Sequence, residues 1–383
     1  MRILFFSRDY TPHDHRILSS LAKTGHRVYY LRLEESEYVF EDRLLPQEIE
    51  VVQWNNSRRS ARWVDGPGML VELKSIAKKI NPDLVQAGPL QRSALLAALA
   101  GLRPLISMSW GYDLLQDAGR NAIWRQATRF VLSHSDLMIG DCETIRRLAI
   151  SYGMPDKRIV TFPWGIDLDH FSPRVNSTTA SAADNRVREG TFTLLSTRSW
   201  EPIYGVDTIV QAYIQVSQTQ PGIRLVMLGN GSLATDLKQR FFDVGLFPSA
   251  ANLDSAKDAR VIFPGQVGFS NLPESYRSSD LYISASHSDG TSISLLEALA
   301  CGLPVLVSDI PGNREWVVPG VNGWLFTDGN PSALASAILE AFNDRNRLIE
   351  MGENARKSVE GRADWKANFQ KLLQAYELVV NEN

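Results

Sequence analysis

The residues best suited to chemistry lie in one stretch, Ser286-His287-Ser288-Asp289-Gly290-Thr291-Ser292-Ile293-Ser294-Leu295-Leu296-Glu297-Ala298-Leu299-Ala300-Cys301-Gly302-Leu303-Pro304-Val305. Its apolar core predicts a short helix, capped by Thr291 or Ser292 and stopped by Gly302 and Pro304 before a new strand. The first N–H groups of such a helix have no partners inside it, so 291–294 is suited to an anion such as a diphosphate. Asp289 precedes the helix and Glu297 lies within it, eight positions on. Two carboxylates so placed can accept hydrogen bonds from hydroxyls at the two ends of a bound nucleotide sugar. On residue types alone, a plain cap at Ser292 and a solvated Glu297 explain the same letters equally well.

A helix start of this kind needs a sheet edge to present it. The chain opens with an apolar strand at 3–6, a polar loop at 7–16, a helix ending at Lys23-Thr24-Gly25 with the glycine as left-handed cap, and a strand at 28–33. That is a βαβ unit, and it implies a parallel sheet. The alternation continues to about residue 139 and then halts in a segment rich in Ser, Thr, Ala and Asn without aromatics. A second alternating set begins with a strand at 191–196. The expected fold class is α/β, with two Rossmann-like doubly wound domains. The first covers 1–172, a linker 173–190, the second 191–365, and a C-terminal helix at 366–383 packs back towards the first domain.

Composition narrows the partners. Lys and Arg number 40 against 43 Asp and Glu, for a net charge of −3, which argues against a nucleic-acid partner. Cys142 and Cys301 are far apart and read as core residues of a cytoplasmic protein. The apolar runs at 3–6 and 94–102 are too short for a signal peptide or a spanning helix. Gly229-Asn230-Gly231 lacks a third glycine and reads as a tight turn, and no cluster has the spacing of metal ligands, so no metal is expected beside a diphosphate. One patch suggests a surface role. Trp54-Asn55-Asn56-Ser57-Arg58-Arg59-Ser60-Ala61-Arg62-Trp63 sets three arginines between tryptophans, with Met69 and Leu70 following. It reads either as a peripheral contact of region 54–70 with the inner membrane surface or as a loop whose tryptophans fold back onto the sheet.

The 286–305 segment resembles the signature of glycosyltransferase family 4, with acidic residues eight apart around a glycine-containing helix start and a following Ala-Cys-Gly-x-Pro-Val. The resemblance covers nearly the whole chain. It runs through Gly25-His26-Arg27-Val28, Asn81-Pro82-Asp83-Leu84-Val85, Phe162-Pro163-Trp164-Gly165-Ile166-Asp167, Phe171-Ser172-Pro173, Leu228-Gly229-Asn230-Gly231 and 317–323. It implies the GT-B fold, two Rossmann-like domains facing each other across a cleft. It also implies retaining, cofactor-free transfer from a UDP- or GDP-linked sugar to a glycan or lipid-linked acceptor. By the same resemblance Glu297 holds the ribose, Asp289 the transferred sugar's hydroxyls, and Arg198 the diphosphate, for which a guanidinium fork is suited. Gly290, Thr291, Ser292, Ile293 and Val267 complete the donor side.

The chain departs from the family pattern in four places. Asp289 stands where Glu is usual, and Tyr204 takes the place of a lysine expected before Gly205, in a loop one residue longer. Arg8 and Arg314 are candidates to replace that cation. The loop after the first strand lacks a glycine pair and offers His13, Asp14 and Arg16 instead. Trp110, near Asp113, stands where many relatives have histidine. These five residues are the expected acceptor or donor-sugar side. A catalytically silent nucleotide-sugar-binding subunit and a GT-B-type epimerase are the rival readings.

Overall fold

The computed structural model describes residues 1–35, 41–55, 62–174, 191–246 and 259–381. The chain forms two compact units, Met1–Trp164 with Lys366–Asn383, and Gly165–Trp365. The division falls eight residues before the composition changes, because Ile166 bridges to Asp364 and Arg356 donates to the carbonyls of Leu168 and Phe171. Beyond its first two residues, the linker expected at 173–190 lies outside the described residues.

In the first unit seven parallel strands run in the order β3-β2-β1-β4-β5-β6-β7. They are β1 (Arg2–Ser7), β2 (Arg27–Arg32), β3 (Glu50–Val52), β4 (Leu84–Gly88), β5 (Leu105–Met108), β6 (Leu137–Gly140) and β7 (Ile159–Thr161). Ile3, Leu4, Phe5 and Phe6 are all buried, as expected for a strand covered on both faces. The strand order reverses between β1 and β4. On β4, Gln86 accepts a hydrogen bond from Tyr376 of the last helix, Trp365–Asn381. The first helix, Pro12–Leu21, ends earlier than the sequence suggests, and Gly25 is not its left-handed cap. The Thr24 hydroxyl takes the Leu21 carbonyl (2.6 Å) and Ala22 N–H the Leu18 carbonyl, so the helix end is satisfied without a glycine.

The second unit repeats the topology with six parallel strands, in the order β10-β9-β8-β11-β12-β13. They are β8 (Phe192–Ser196), β9 (Ile223–Leu228), β10 (Val261–Gly265), β11 (Leu281–Ser284), β12 (Val305–Ser308) and β13 (Gly323–Phe326). Helices Val206–Thr219 and Pro331–Asn343 bury Ile209, Tyr213, Leu334 and Ile338 in its core. Here the order reverses between β8 and β11. Open α/β sheets bind ligands beyond the strand ends at such a reversal.

Candidate donor site

That reversal gathers the donor-side residues. Arg198 lies two residues past the end of β8, and the loop after β11 carries Asp289 into the helix Ile293–Ala300. The Arg198 side chain is only 11% exposed. Its Nη1 donates to Ser292 Oγ (3.0 Å) and Ser294 Oγ (3.2 Å), and its Nη2 to Asp289 Oδ2 (2.7 Å). Burial works against the guanidinium charge, but Asp289 and then Tyr204 outweigh it and leave the pKa above its ordinary value. Burial likewise raises the Asp289 carboxyl, against the pull of Arg198.

The helix start is built as the sequence suggests, with Ser292 as the cap, accepting from Leu295 N–H at 3.4 Å. Gly290 and Thr291 are buried and Ile293 is half-buried. Gly312 makes the close approach of this loop possible, since a Cβ there would sit 2.2 Å from the Gly290 carbonyl oxygen and 2.5 Å from that of Asp289. Tyrosines that no sequence spacing announced fix the site from beneath. Tyr282 on β11 meets Ser294 Oγ at 2.7 Å. Tyr276 donates to Glu297 Oε2 (2.8 Å) and pairs with Thr197 Oγ1 (3.1 Å). Glu297 is therefore a buried, oriented carboxylate rather than a solvated helix residue. Val267 packs half-buried against the apolar cluster that includes Tyr276 and Leu295.

Of the two cations proposed to replace the family lysine, Arg314 gives its fork to Asp309 (2.5 and 2.8 Å), while Arg8 belongs to the first unit and pairs with Glu34. Asp167-Leu168-Asp169 has the Asp-x-Asp spacing of a metal-binding pair but shapes a turn, with Asp167 Oδ1 accepting from the N–H groups of Asp169 (3.0 Å) and His170 (3.1 Å). Among the described residues no three His, Cys, Asp or Glu side chains gather as metal ligands.

The first-unit candidates divide. His13 stands between Trp110 and Trp164, with ring centroids 6.1 and 6.2 Å away, and Arg16 lies half-buried on the same helix. The indole Nε1 of Trp110 is buried and has no hydrogen-bond partner among the described residues. Asp14 and Asp113, in contrast, are fully buried and hold their own loops. Asp14 closes a capping box, accepting from Thr11 N–H at 2.9 Å, and burial pushes its pKa up to about 7. Asp113 ties down a loop, accepting from Ser109 Oγ (2.6 Å) and from the N–H groups of Leu90 (3.0 Å), Leu114 (3.0 Å) and Trp110 (3.3 Å).

Trp54 also departs from its interfacial reading. It is buried edge-on against Phe6 and donates to the Arg32 carbonyl at 2.8 Å, so it serves the core and not a membrane surface. Arg58 and Arg59 lie outside the described residues. Among the described residues no helix is long and apolar enough to cross a membrane.

Two Rossmann-like sheets, the second with an arginine and a buried helix start at its reversal, define a GT-B protein. The sequence pattern described as glycosyl transferases group 1 matches residues 177–358, and that of glycosyltransferase family 4 matches 13–170. The chain belongs to glycosyltransferase family 4.

A D-inositol 3-phosphate glycosyltransferase of Geodermatophilus obscurus is 29% identical over 66% of this chain, a match that spans about half (54%) of that relative's length. A GDP-mannose-dependent alpha-(1-6)-phosphatidylinositol monomannoside mannosyltransferase of Mycobacterium tuberculosis is 24% identical over 97% of both chains. Anabaena HepE, solved with UDP-glucose, superposes with a TM-score of 0.77 at 20% identity, covering 98% of this chain and 99% of that one.

Proposed function

We propose that this protein is a retaining glycosyltransferase that moves a sugar from a UDP- or GDP-linked donor to a hydroxyl of a glycan or lipid-linked acceptor. The observation that carries the reading is Arg198, a nearly buried guanidinium at the sheet reversal, bonded to the serines of a helix start and to Asp289. Cleavage of the anomeric C–O bond leaves negative charge on the departing diphosphate. A preorganised cation and first-turn amides at that position lower the barrier, because they need no reorganisation as the charge develops. Asp289 reaches the sugar hydroxyls, and Glu297, oriented by Tyr276, reaches the ribose. The acceptor hydroxyl attacks from the face the diphosphate leaves, its oxygen bonds to the anomeric carbon, and its proton passes to a donor phosphate oxygen.

The lipid-linked acceptor rests on the mycobacterial relative, whose name gives a lipid substrate, and the UDP-linked donor on the neighbours solved with UDP and UDP-glucose. The transfer takes place in the cytoplasm, without a metal. A panel of UDP- and GDP-sugars, assayed for nucleotide release with and without glycan and lipid acceptors, tests the reading. Acceptor-dependent release with the donor's anomeric configuration kept in the product is expected. Nucleotide binding with no turnover for any pair points to a silent binding subunit, and an inverted product overturns retention.

A further inference from the structure

Tyr204 is the feature of the donor site that the proposed function leaves unexplained. Its ring lies under the Arg198 guanidinium, with the Cζ 4.0 Å from the ring centroid. The backbone on either side holds it there. Gly205 adopts φ +57, and a Cβ at that position would stand 2.1 Å from the Ala285 carbonyl oxygen, so the chain passes directly against the end of β11. One residue before Tyr204, the Ile203 carbonyl accepts from His287 N–H at 2.9 Å. The short turn Pro202–Tyr204 is thus clamped to the same loop that carries Asp289. Arg198 is held in its plane by Ser292, Ser294 and Asp289, and across its face by Tyr204. Its Nε–H is buried without an acceptor among the described residues.

We propose that Tyr204 is a positioning residue for diphosphate binding, an aromatic platform that sets the angle of the Arg198 guanidinium and shields it from water. The inference rests on the reading of Arg198 as the diphosphate's cation. A cation over an aromatic face is attracted by the ring quadrupole, and more strongly when both are withdrawn from solvent. With Arg314 committed to Asp309, the second unit does not supply the missing ammonium from that side chain. Arg198 itself is instead fixed firmly, by Ser292, Ser294 and Asp289 on its nitrogens and by the Tyr204 ring across its face. The hydroxyl of Tyr204 has no part in this, and the ring has all of it.

The test is calorimetry of the full chain with UDP, GDP and the matching nucleosides uridine and guanosine, on wild type, Tyr204→Phe and Tyr204→Leu. Tyr204→Phe is expected to bind the diphosphate like wild type. Tyr204→Leu is expected to lose about tenfold to thirtyfold in diphosphate affinity while holding the nucleoside unchanged, a split that loss of folding does not produce. Equal diphosphate affinity in Tyr204→Leu and wild type overturns the platform, as does an equal loss in Tyr204→Phe. Wild type binding neither UDP nor GDP overturns the donor reading itself, so the two failures are distinct.

Discussion

The two units share a topology but use their buried polar residues in opposite ways. In the second unit Arg198, Asp289, Ser292, Ser294 and Glu297 bond chiefly to one another and to tyrosines, side chain to side chain. In the first unit Asp14 and Asp113 bond mainly to the backbone and to the hydroxyls of their own turns. A carboxylate that satisfies several backbone N–H groups is part of the loop's construction, because the cost of removing it is the desolvation of every donor left behind. A carboxylate facing an arginine can exchange that partner for a ligand. Local sequence does not separate the two cases, because Asp113 and Asp289 each lie five residues past the end of a strand, Asp113 within the short helix Tyr112–Leu115 and Asp289 just before Ile293–Ala300.

The sharpest way to break this contrast is Arg198→Ala. It is expected to lower turnover by about a hundredfold or more, as loss of a leaving-group stabiliser does, while circular dichroism shows a folded chain. Near-wild-type turnover removes Arg198 from the site. Asp113→Ala should do the reverse, lowering stability in urea by about 3 kcal/mol, since several buried donors lose their acceptor, with nucleoside diphosphate affinity retained. A stable Asp113→Ala that fails to bind the nucleotide reverses the assignment of the two units.

A smaller effect resolves the two acidic residues of the second unit. Glu297→Ala is expected to weaken free UDP or GDP about tenfold, whereas Asp289→Ala weakens the intact nucleotide sugar more than the free nucleotide. Calorimetry giving the opposite order exchanges their roles.

Asp14 offers a pH test of the structural side of the comparison. Its folded pKa of about 7 lies above the unfolded value near 4, so the folded chain holds a proton that the unfolded chain has released. Stability from this group is full below about pH 4 and is lost as pH rises through 7. The Tm is expected to fall across that window in wild type and to flatten in Asp14→Asn, and parallel profiles refute the shift. The smallest effect expected is none at all, with turnover unchanged by EDTA. Restoration by magnesium of activity lost to EDTA contradicts metal-free transfer.

Much of this was written in local sequence. The strand at 3–6 is apolar throughout because both faces are covered, and the stop at Gly302 and Pro304 ends a helix through backbone restrictions that travel with those residue types. The cap at Ser292 and the eight-residue spacing of Asp289 and Glu297 are of the same kind, since one short segment contains all the atoms concerned.

What the tertiary structure decided is who faces whom across distances the chain does not encode locally. Arg198 reaches Ser292, Ser294 and Asp289 only because β8 and β11 lie side by side at the reversal of the sheet, and Tyr276 reaches Glu297 because its helix, Leu272–Arg277, packs against Ile293–Ala300. For Trp54 the sequence left open a surface anchor or a fold back onto the sheet, and the sheet draws it inward, because burying an indole whose N–H finds the Arg32 carbonyl is favourable on both counts. Gly25 suited a helix cap, but the Thr24 hydroxyl reached the carbonyl first. Tyr204 appears in the sequence as a missing lysine and in the fold as the ring beneath Arg198. The turn that brings them together depends on a contact between Gly205 and Ala285, and an 80-residue separation leaves no periodicity to read.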